Sequence, residues 1–205
     1  MGTTTTGAVN EGLYYILAIS ALLFAAIVFF LVLFLVRYRS SVSPKAKQIH
    51  GNPWFEIAAL VLPTLIALSF FAVSLQGYEF LRRVPQGALQ VEVHARQFAY
   101  SFTYPDGKKS SQLIVPVGSD VRLNIISEDV LHGVYIPAMH IQVDAVPKMP
   151  TYAWFHAQDI GTFDILCTAY CGTGHSDMMS KLRIVKAADF QKWKSGQIDE
   201  FPEGD

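Results

Sequence analysis

The sequence predicts a membrane-anchored protein, in which a transmembrane hairpin of two helices precedes an all-β Greek-key sandwich. Two long uncharged segments lie within the first 80 residues. Short apolar stretches separated by Gly, Pro and Asp fill the region after residue 85. Of the 205 residues, 51% are hydrophobic, a high share for a chain without membrane segments. The net charge of −1 gives no basis for nucleic-acid binding.

The two uncharged segments are predicted to span the membrane. Residues 12–36 contain no charged side chain, and at 1.5 Å per residue such a helix exceeds the hydrocarbon core of about 30 Å. A signal peptide is the alternative, but its apolar core is shorter and follows basic residues, whereas this segment precedes Arg37 and Arg39. The second span covers residues 57–78, with a kink expected at Pro63.

The loop between the spans, residues 37–55, is basic. Besides the two arginines it carries Lys45 and Lys47, and no acidic residue occurs in it. The positive-inside rule places such a loop in the cytoplasm, so both termini are expected on the outer, periplasmic side of a bacterial inner membrane. Residues 1–84 therefore form the predicted membrane domain. Glu56, where the second span begins, is either an interfacial carboxylate or a proton-entry group for a partner channel.

Residues 85–186 are predicted to form the sandwich. Apolar residues alternate over residues 89–93, and aromatic residues recur with a period of two over residues 98–104. Seven strands are predicted, at residues 89–93, 97–104, 112–115, 121–126, 152–157, 162–166 and 181–185. Residues 187–205 are predicted to form a short helix at 187–194 and a polar tail.

Both cysteines lie in residues 167–178, with the spacing Cys-x3-Cys-x3-His-x2-Met. Thiolate, imidazole and thioether donors select copper, zinc or iron–sulfur centres. Structural zinc sites use four Cys or His ligands, c-type haem needs Cys-x-x-Cys-His, and iron–sulfur clusters need more thiolates. A mononuclear blue copper site leaves one cysteine unused, whereas two thiolates can bridge two coppers. A Cys167–Cys171 disulfide is the structural alternative, and it leaves His175 and Met178 unexplained.

A binuclear copper site needs a second histidine from elsewhere in the chain. His132 is favoured, because it follows the strand predicted at 121–126 in a loop-like segment and precedes a glycine. His140 is the second choice, and His94 and His156 are the remaining candidates. For the thioether, the spacing from the loop histidine favours Met178 over the adjacent methionine.

These features together resemble subunit II of haem–copper cytochrome c oxidases, in which a cupredoxin-like domain carries the binuclear CuA centre. The resemblance covers nearly the whole chain and rests on the cysteine motif, on Asp-Val-Leu-His at 129–132 and on Val-Asp-Ala-Val-Pro at 143–147. It implies two copper ions bound by His132, Cys167, Cys171, His175, Met178 and the backbone carbonyl of Ala169. It also implies that Glu56 is the cytoplasmic entrance of a proton pathway into subunit I.

The sequence departs from the family pattern at two positions. Ala169 stands where the family commonly has a glutamate that also reaches a magnesium ion at the subunit I interface, so that magnesium site lacks its carboxylate here. Phe98 stands where the family has the tryptophan for electron entry, with Tyr100 close by in sequence. These two aromatic residues are the predicted electron-entry candidates.

The resemblance implies an electron-entry subunit. Its CuA centre would accept single electrons from a cytochrome c-type donor and pass them to haem in subunit I, where dioxygen is reduced to water with proton translocation. Two alternatives stay open at this point. One is a CuA subunit of a nitric oxide reductase of the same superfamily, and the other is a membrane-tethered copper carrier.

Overall fold

A computed structural model of the chain describes residues 4–45, 48, 50–198 and 201. It contains three α-helices: α1 (Thr4–Arg37), α2 (Pro53–Arg82) and the short α3 (Ala187–Lys194). The first two are long and apolar enough to cross a membrane, as the sequence predicts. The predicted basic-loop residue Lys47 and most of the predicted polar tail lie outside the described residues.

Within the described residues, ten strands form two five-stranded sheets, which confirms the predicted β-sandwich. The first sheet has the order β3-β2-β1-β5-β8, with strands β1 (Leu89–Arg96), β2 (Ala99–Thr103), β3 (Lys109–Ser110), β5 (Asp120–Ser127) and β8 (Thr151–His156). The second has the order β4-β10-β9-β6-β7, with strands β4 (Leu113–Pro116), β6 (His132–Ile136), β7 (Ile141–Ala145), β9 (Gly161–Leu166) and β10 (Met179–Val185). The β1–β5 and β4–β10 pairs are parallel, and the other pairs are antiparallel.

The hydrophobic core draws its side chains from both sheets. Along β5 every second residue is buried, as expected for a strand with one face toward a core. Leu123 and Phe155 of the first sheet and Ile136 and Leu182 of the second are fully buried in one cluster. Burial of each such side chain contributes about 1.5–3 kcal/mol to folding. The core therefore holds the strand ends, from which the loops emerge, in fixed positions.

The structure corrects three details of the predicted strands. Arg96 pairs with Ala99, so Gln97 and Phe98 form the β1–β2 turn instead of the start of a strand. The strands β3, β6 and β7 are missing from the prediction. The loop placement predicted for His132 is wrong, because His132 is the first residue of β6. Four of the five residues in β6 are buried, so the strand has no period-two pattern by which to recognise it.

The chain forms two compact units. One is Asn10–Tyr78, and the other is Glu79–Asp205, to which Met1–Val9 also belongs. The division falls near the end of α2, so the last turn of that helix belongs with the β-sandwich.

Candidate metal centre

The segment that carries most of the predicted ligands is residues 167–178, here called the ligand loop, which joins β9 to β10. These strands are antiparallel neighbours, and Leu166 pairs with Met179 across the base of the loop. The backbone N–H of Cys167 donates to the carbonyl of Met178 at 3.3 Å, which closes the loop at its ends. A short 3-10 turn (His175–Asp177) lies inside it. The closed base holds the donors of the loop at one end of the second sheet.

The strand β6 brings His132 to the ligand loop. It runs antiparallel to β9, and Tyr135 pairs with Leu166. The chain from Tyr135 back to His132 therefore runs alongside the first residues of the ligand loop. As a result, ligand atoms of His132, Cys167 and Cys171 lie within 4.8 Å of one another.

The two sulfur atoms are close but not bonded. The Sγ atoms of Cys167 and Cys171 are 3.9 Å apart and both thiols are free, whereas a disulfide bond is about 2.05 Å long. A metal–thiolate bond is about 2.3 Å, so one ion can contact both sulfurs at this separation. The Sγ of Cys171 lies 3.7 Å from Nδ1 of His175 and 3.7 Å from Sδ of Met178. The carbonyl oxygen of Ala169 is 3.3 Å from Sγ of Cys167, so all six predicted donor groups come together.

The histidine from β6 has the surroundings of a metal ligand. The imidazole of His132 is fully buried, and its Nε2 lies 2.6 Å from Oδ1 of Asp129. Its Nδ1 is buried without a hydrogen-bond partner among the described residues. Because the carboxylate accepts the Nε2–H bond, Nδ1 carries the free lone pair. Leaving a buried polar atom unpaired costs free energy, and a metal ion would satisfy it in the usual carboxylate–imidazole–metal arrangement.

Local contacts shift the pKa values of Asp129 and Cys171 in opposite directions. Burial acts to raise the pKa of Asp129, but hydrogen bonds from His132 and from the backbone N–H groups of Gln97 and Val130 outweigh it, and the pKa is lowered. The carboxylate therefore stays ionised. Burial, and then the neighbouring Cys167, raise the pKa of the Cys171 thiol to about 11. Binding of a soft cation would displace that proton.

Gln97 connects the two ligand-bearing segments, a role that the sequence does not indicate. Its backbone N–H donates to Oδ2 of Asp129 at 2.8 Å, and its side-chain Nε2 donates to the carbonyl of Cys171 at 2.5 Å. The next residue, Phe98, is 37% exposed, and its ring lies against Gly174, where an added Cβ would be 2.7 Å from the ring. These contacts join positions far apart in sequence, so no local pattern predicts them.

The second electron-entry candidate is buried. Tyr100 donates its hydroxyl hydrogen to the carbonyl of Gly133 at 2.5 Å, and burial, followed by Cys167, raises its pKa. The backbone of Gly133 lies close to the ligand loop. An added Cβ would be 2.9 Å from the backbone N of Thr168 and 3.1 Å from that of Ala169. Of the two candidates, only Phe98 reaches the surface. The glycine beside His132 therefore reflects a close approach of two backbones.

The other histidines and the second methionine are not part of the cluster. His140 is exposed beyond the far end of β6, and His94 and His156 lie beside carboxylates. Met179 is 60% exposed, whereas Met178 is 1% exposed. The remaining predicted residue, Glu56, is exposed in the first turn of α2, within the helical unit.

Fold and site together define a membrane-anchored, cupredoxin-like domain with a soft-metal ligand cluster. Residues 108–185 match the family model described as cytochrome C oxidase subunit II, periplasmic domain. The resemblance indicated by the sequence is confirmed: this segment of the β-sandwich is similar to the periplasmic domain of cytochrome c oxidase subunit II.

Individual relatives agree with the family match. The chain is 38% identical over 107 residues to cytochrome c oxidase subunit 2 of Thermostichus vulcanus, an alignment that covers 52% of this chain and 32% of the relative. It is 28% identical over 193 residues to the subunit 2 of Alkalihalophilus pseudofirmus, covering 90% of this chain and 56% of the relative. The chain thus spans about a third to somewhat over half of these relatives.

A solved structure supports the fold. The crystal structure of the periplasmic domain of subunit II of cytochrome oxidase from Bradyrhizobium japonicum superposes with a TM-score of 0.53 at 27% identity. The alignment covers 56% of this chain and 96% of that domain.

Proposed function

We propose that this chain is the electron-entry subunit of a respiratory haem–copper terminal oxidase in a bacterial inner membrane. The observation that carries the proposal is the pair of free thiols 3.9 Å apart beside a buried imidazole whose Nδ1 has no partner in the described part of the chain. The proposed donors to two copper ions are His132, Cys167, Ala169 (carbonyl), Cys171, His175 and Met178. When bound, two copper ions held by these donors would supply one-electron transfer with little change in bond lengths.

The surroundings of the donors suit electron transfer. Met178 and Cys171 are 1% and 4% exposed, so water is largely kept from the site. Asp129 fixes the orientation of the β6 imidazole, and Gln97 fixes the carbonyl of Cys171. A ligand shell held in this way keeps one geometry when the charge of the site changes.

The proposed route begins at the surface and ends in a partner subunit. Phe98, partly exposed and packed against the ligand loop, is the proposed contact for a cytochrome c-type donor. Electrons would pass to haem in the partner subunit, where dioxygen is reduced to water with proton translocation. Glu56, in the first turn of α2, is the proposed proton entrance. Ala169 offers no carboxylate, so no magnesium ion is included in the proposal.

Burial of the ligands argues against a copper carrier. A carrier must exchange its metal with a partner, which is favoured by exposed donors, but the imidazole of His132 is fully buried.

A nitric oxide reductase of the same superfamily would use the same electron-entry domain. Gas consumption by the purified complex separates the two enzymes, since nitric oxide turnover without dioxygen turnover would exclude the oxidase.

Electron paramagnetic resonance of the copper-loaded full chain in detergent tests the metal centre. We expect two coppers per chain and a spin shared by two copper nuclei; hyperfine coupling to a single copper nucleus would contradict the binuclear site. Met178→Leu should change the spectrum. Met179→Leu is the matched control, because the same change is made at the adjacent exposed residue and should leave the spectrum unchanged.

A further inference from the structure

Two arginines contact one tyrosine ring on the outer face of the first sheet. The guanidinium carbon of Arg82, the last residue of α2, lies 4.2 Å from the centroid of the Tyr152 ring, and that of Arg122 lies 4.8 Å from it. The Tyr152 hydroxyl also donates to the carbonyl of Arg82 at 3.2 Å. The end of α2 is thus fastened to β8 and β5, within a single compact unit.

Neither of these guanidinium groups has an acidic partner among the described residues. Both lie within 5 Å of one ring centre, so they are at most about 9 Å apart and repel each other. Nε of Arg122 and Nε1 of Trp154, its pairing partner across the β5–β8 ladder, are both buried without a hydrogen bond in the described part of the chain. The adjacent Arg83, in contrast, forms a 2.9 Å ion pair with Glu79.

A bound anion would neutralise the two guanidinium charges. Arginine presents several N–H donors in a planar fork that matches phosphate and carboxylate oxygens, and such charge-assisted hydrogen bonds are about twice as strong as neutral ones. The stacking on Tyr152 fixes both guanidinium groups in place before any ligand arrives, which reduces the entropy lost on binding.

The position of Arg82 along α2 indicates which anion is close. The uncharged part of α2 ends at Tyr78, and four residues at 1.5 Å each place Arg82 about 6 Å further along the helix. That is the depth of the headgroup layer, which extends about 5–7 Å beyond the hydrocarbon core on each side. Phospholipid phosphates lie in this layer.

We propose that Arg82 and Arg122, stacked on Tyr152, bind the phosphate of an anionic membrane phospholipid. The site is separate from the ligand loop and does not depend on copper. It would hold a lipid beside the last turn of α2, which belongs to the same compact unit as the β-sandwich.

Lipid retention by the full chain in detergent tests this proposal. The probes are phosphatidylglycerol and phosphatidylcholine, added in equal amounts, and native mass spectrometry counts the lipids retained. We expect the parent chain to retain roughly tenfold more phosphatidylglycerol than phosphatidylcholine, which is the difference expected from one charge-assisted contact. Equal retention of the two lipids by the parent chain would overturn the proposal, and this comparison needs no variant.

Arg82→Gln and Arg122→Gln should each abolish most of the preference. Arg83→Gln is the matched control: it removes the same charge one residue away, from an arginine already paired with Glu79. An equal loss in the control would show non-specific charge attraction and would refute the site. Displacement of the lipid by millimolar inorganic phosphate would point to a free anion instead. A further outcome is that the variants lose a bound protein partner while their lipid retention stays the same as in the parent chain. That result would assign the arginines to a carboxylate of the partner and would also refute the proposal.

Discussion

Gly133→Ala is expected to displace the ligand loop and to lower both stability and copper binding. Gly133 follows His132 in β6, and its Cα faces the backbone of the ligand loop directly. An added Cβ would lie 2.9 Å from the backbone N of Thr168, 3.1 Å from that of Ala169 and closer still to the Thr168 hydroxyl. The hydroxyl can rotate away, but the two backbone nitrogens cannot move without moving the loop.

The size of the effect follows from these distances. An ordinary carbon–nitrogen contact needs about 3.4 Å or more, so the two backbones must separate by about 0.5 Å. Forcing extra volume into a packed site of this kind costs about 1–3 kcal/mol. For a domain of about 100 residues, that corresponds to a decrease in Tm of roughly 5–20 °C. Cys167 directly precedes the displaced residues, so its sulfur should shift as well.

Near-ultraviolet circular dichroism of the full chain in detergent measures the Tm, and metal analysis counts the copper bound per chain. Gly77→Ala is the control, because it adds the same methyl group where nothing lies within 4 Å. Thr168→Ala in the Gly133→Ala background should restore only part of the stability, since the backbone contacts remain. A Gly133→Ala chain with parental Tm, copper count and resonance spectrum would refute the close-approach argument.

Three further predictions concern the groups around the site and the far side of the sandwich. Asp129→Asn removes the carboxylate that orients His132, so copper affinity should fall by roughly 10–100-fold in a competition titration with a chelator, with the fold intact. Tyr100→Phe removes one buried hydrogen bond and should lower the unfolding free energy in urea by about 0.5–1.5 kcal/mol; an unchanged value would mean that the bond adds nothing. Burial acts to raise the pKa of Asp106, but hydrogen bonds from the Lys108 backbone and from Lys194 lower it overall. A group whose pKa is lower in the folded state stabilises the fold at pH values above its unfolded pKa, which is near 3.8. The parent chain should therefore be more stable than Asp106→Asn at neutral pH, and this difference should disappear as the pH falls below about 4. A pH-independent difference in Tm between these two chains would contradict this.

Local pattern was sufficient for the elements whose residues repeat along the chain. The two uncharged segments and the alternating residues of β5 predicted helices and a strand because burial in lipid or on one sheet face leaves a regular trace in sequence. The cysteine spacing likewise predicted that the donors of the ligand loop lie close together, since all of them lie within twelve residues.

Contacts between distant segments could not be predicted in the same way. His132 was selected as a loop residue, yet it begins a strand buried on both sides, which has no alternation. Gln97 lies 74 positions from Cys171, whose carbonyl it binds, and nothing near either residue indicates the contact. The arrangement of β1, β6 and β9 determines which side chains contact the ligands. That arrangement is a property of the whole sandwich.

The separate origin of His132 has a consequence for how metal binding and folding are coupled. The other proposed donors all lie in the ligand loop, so an unfolded chain retains most of them within a short flexible segment and can itself bind copper. Ligands that bind the unfolded chain stabilise the fold by less than their full affinity. Only the part of the copper-binding free energy that comes from His132 and from the fixed loop geometry would stabilise the folded state relative to the unfolded state. Tight copper binding and a modest copper-induced rise in Tm are therefore compatible in this protein.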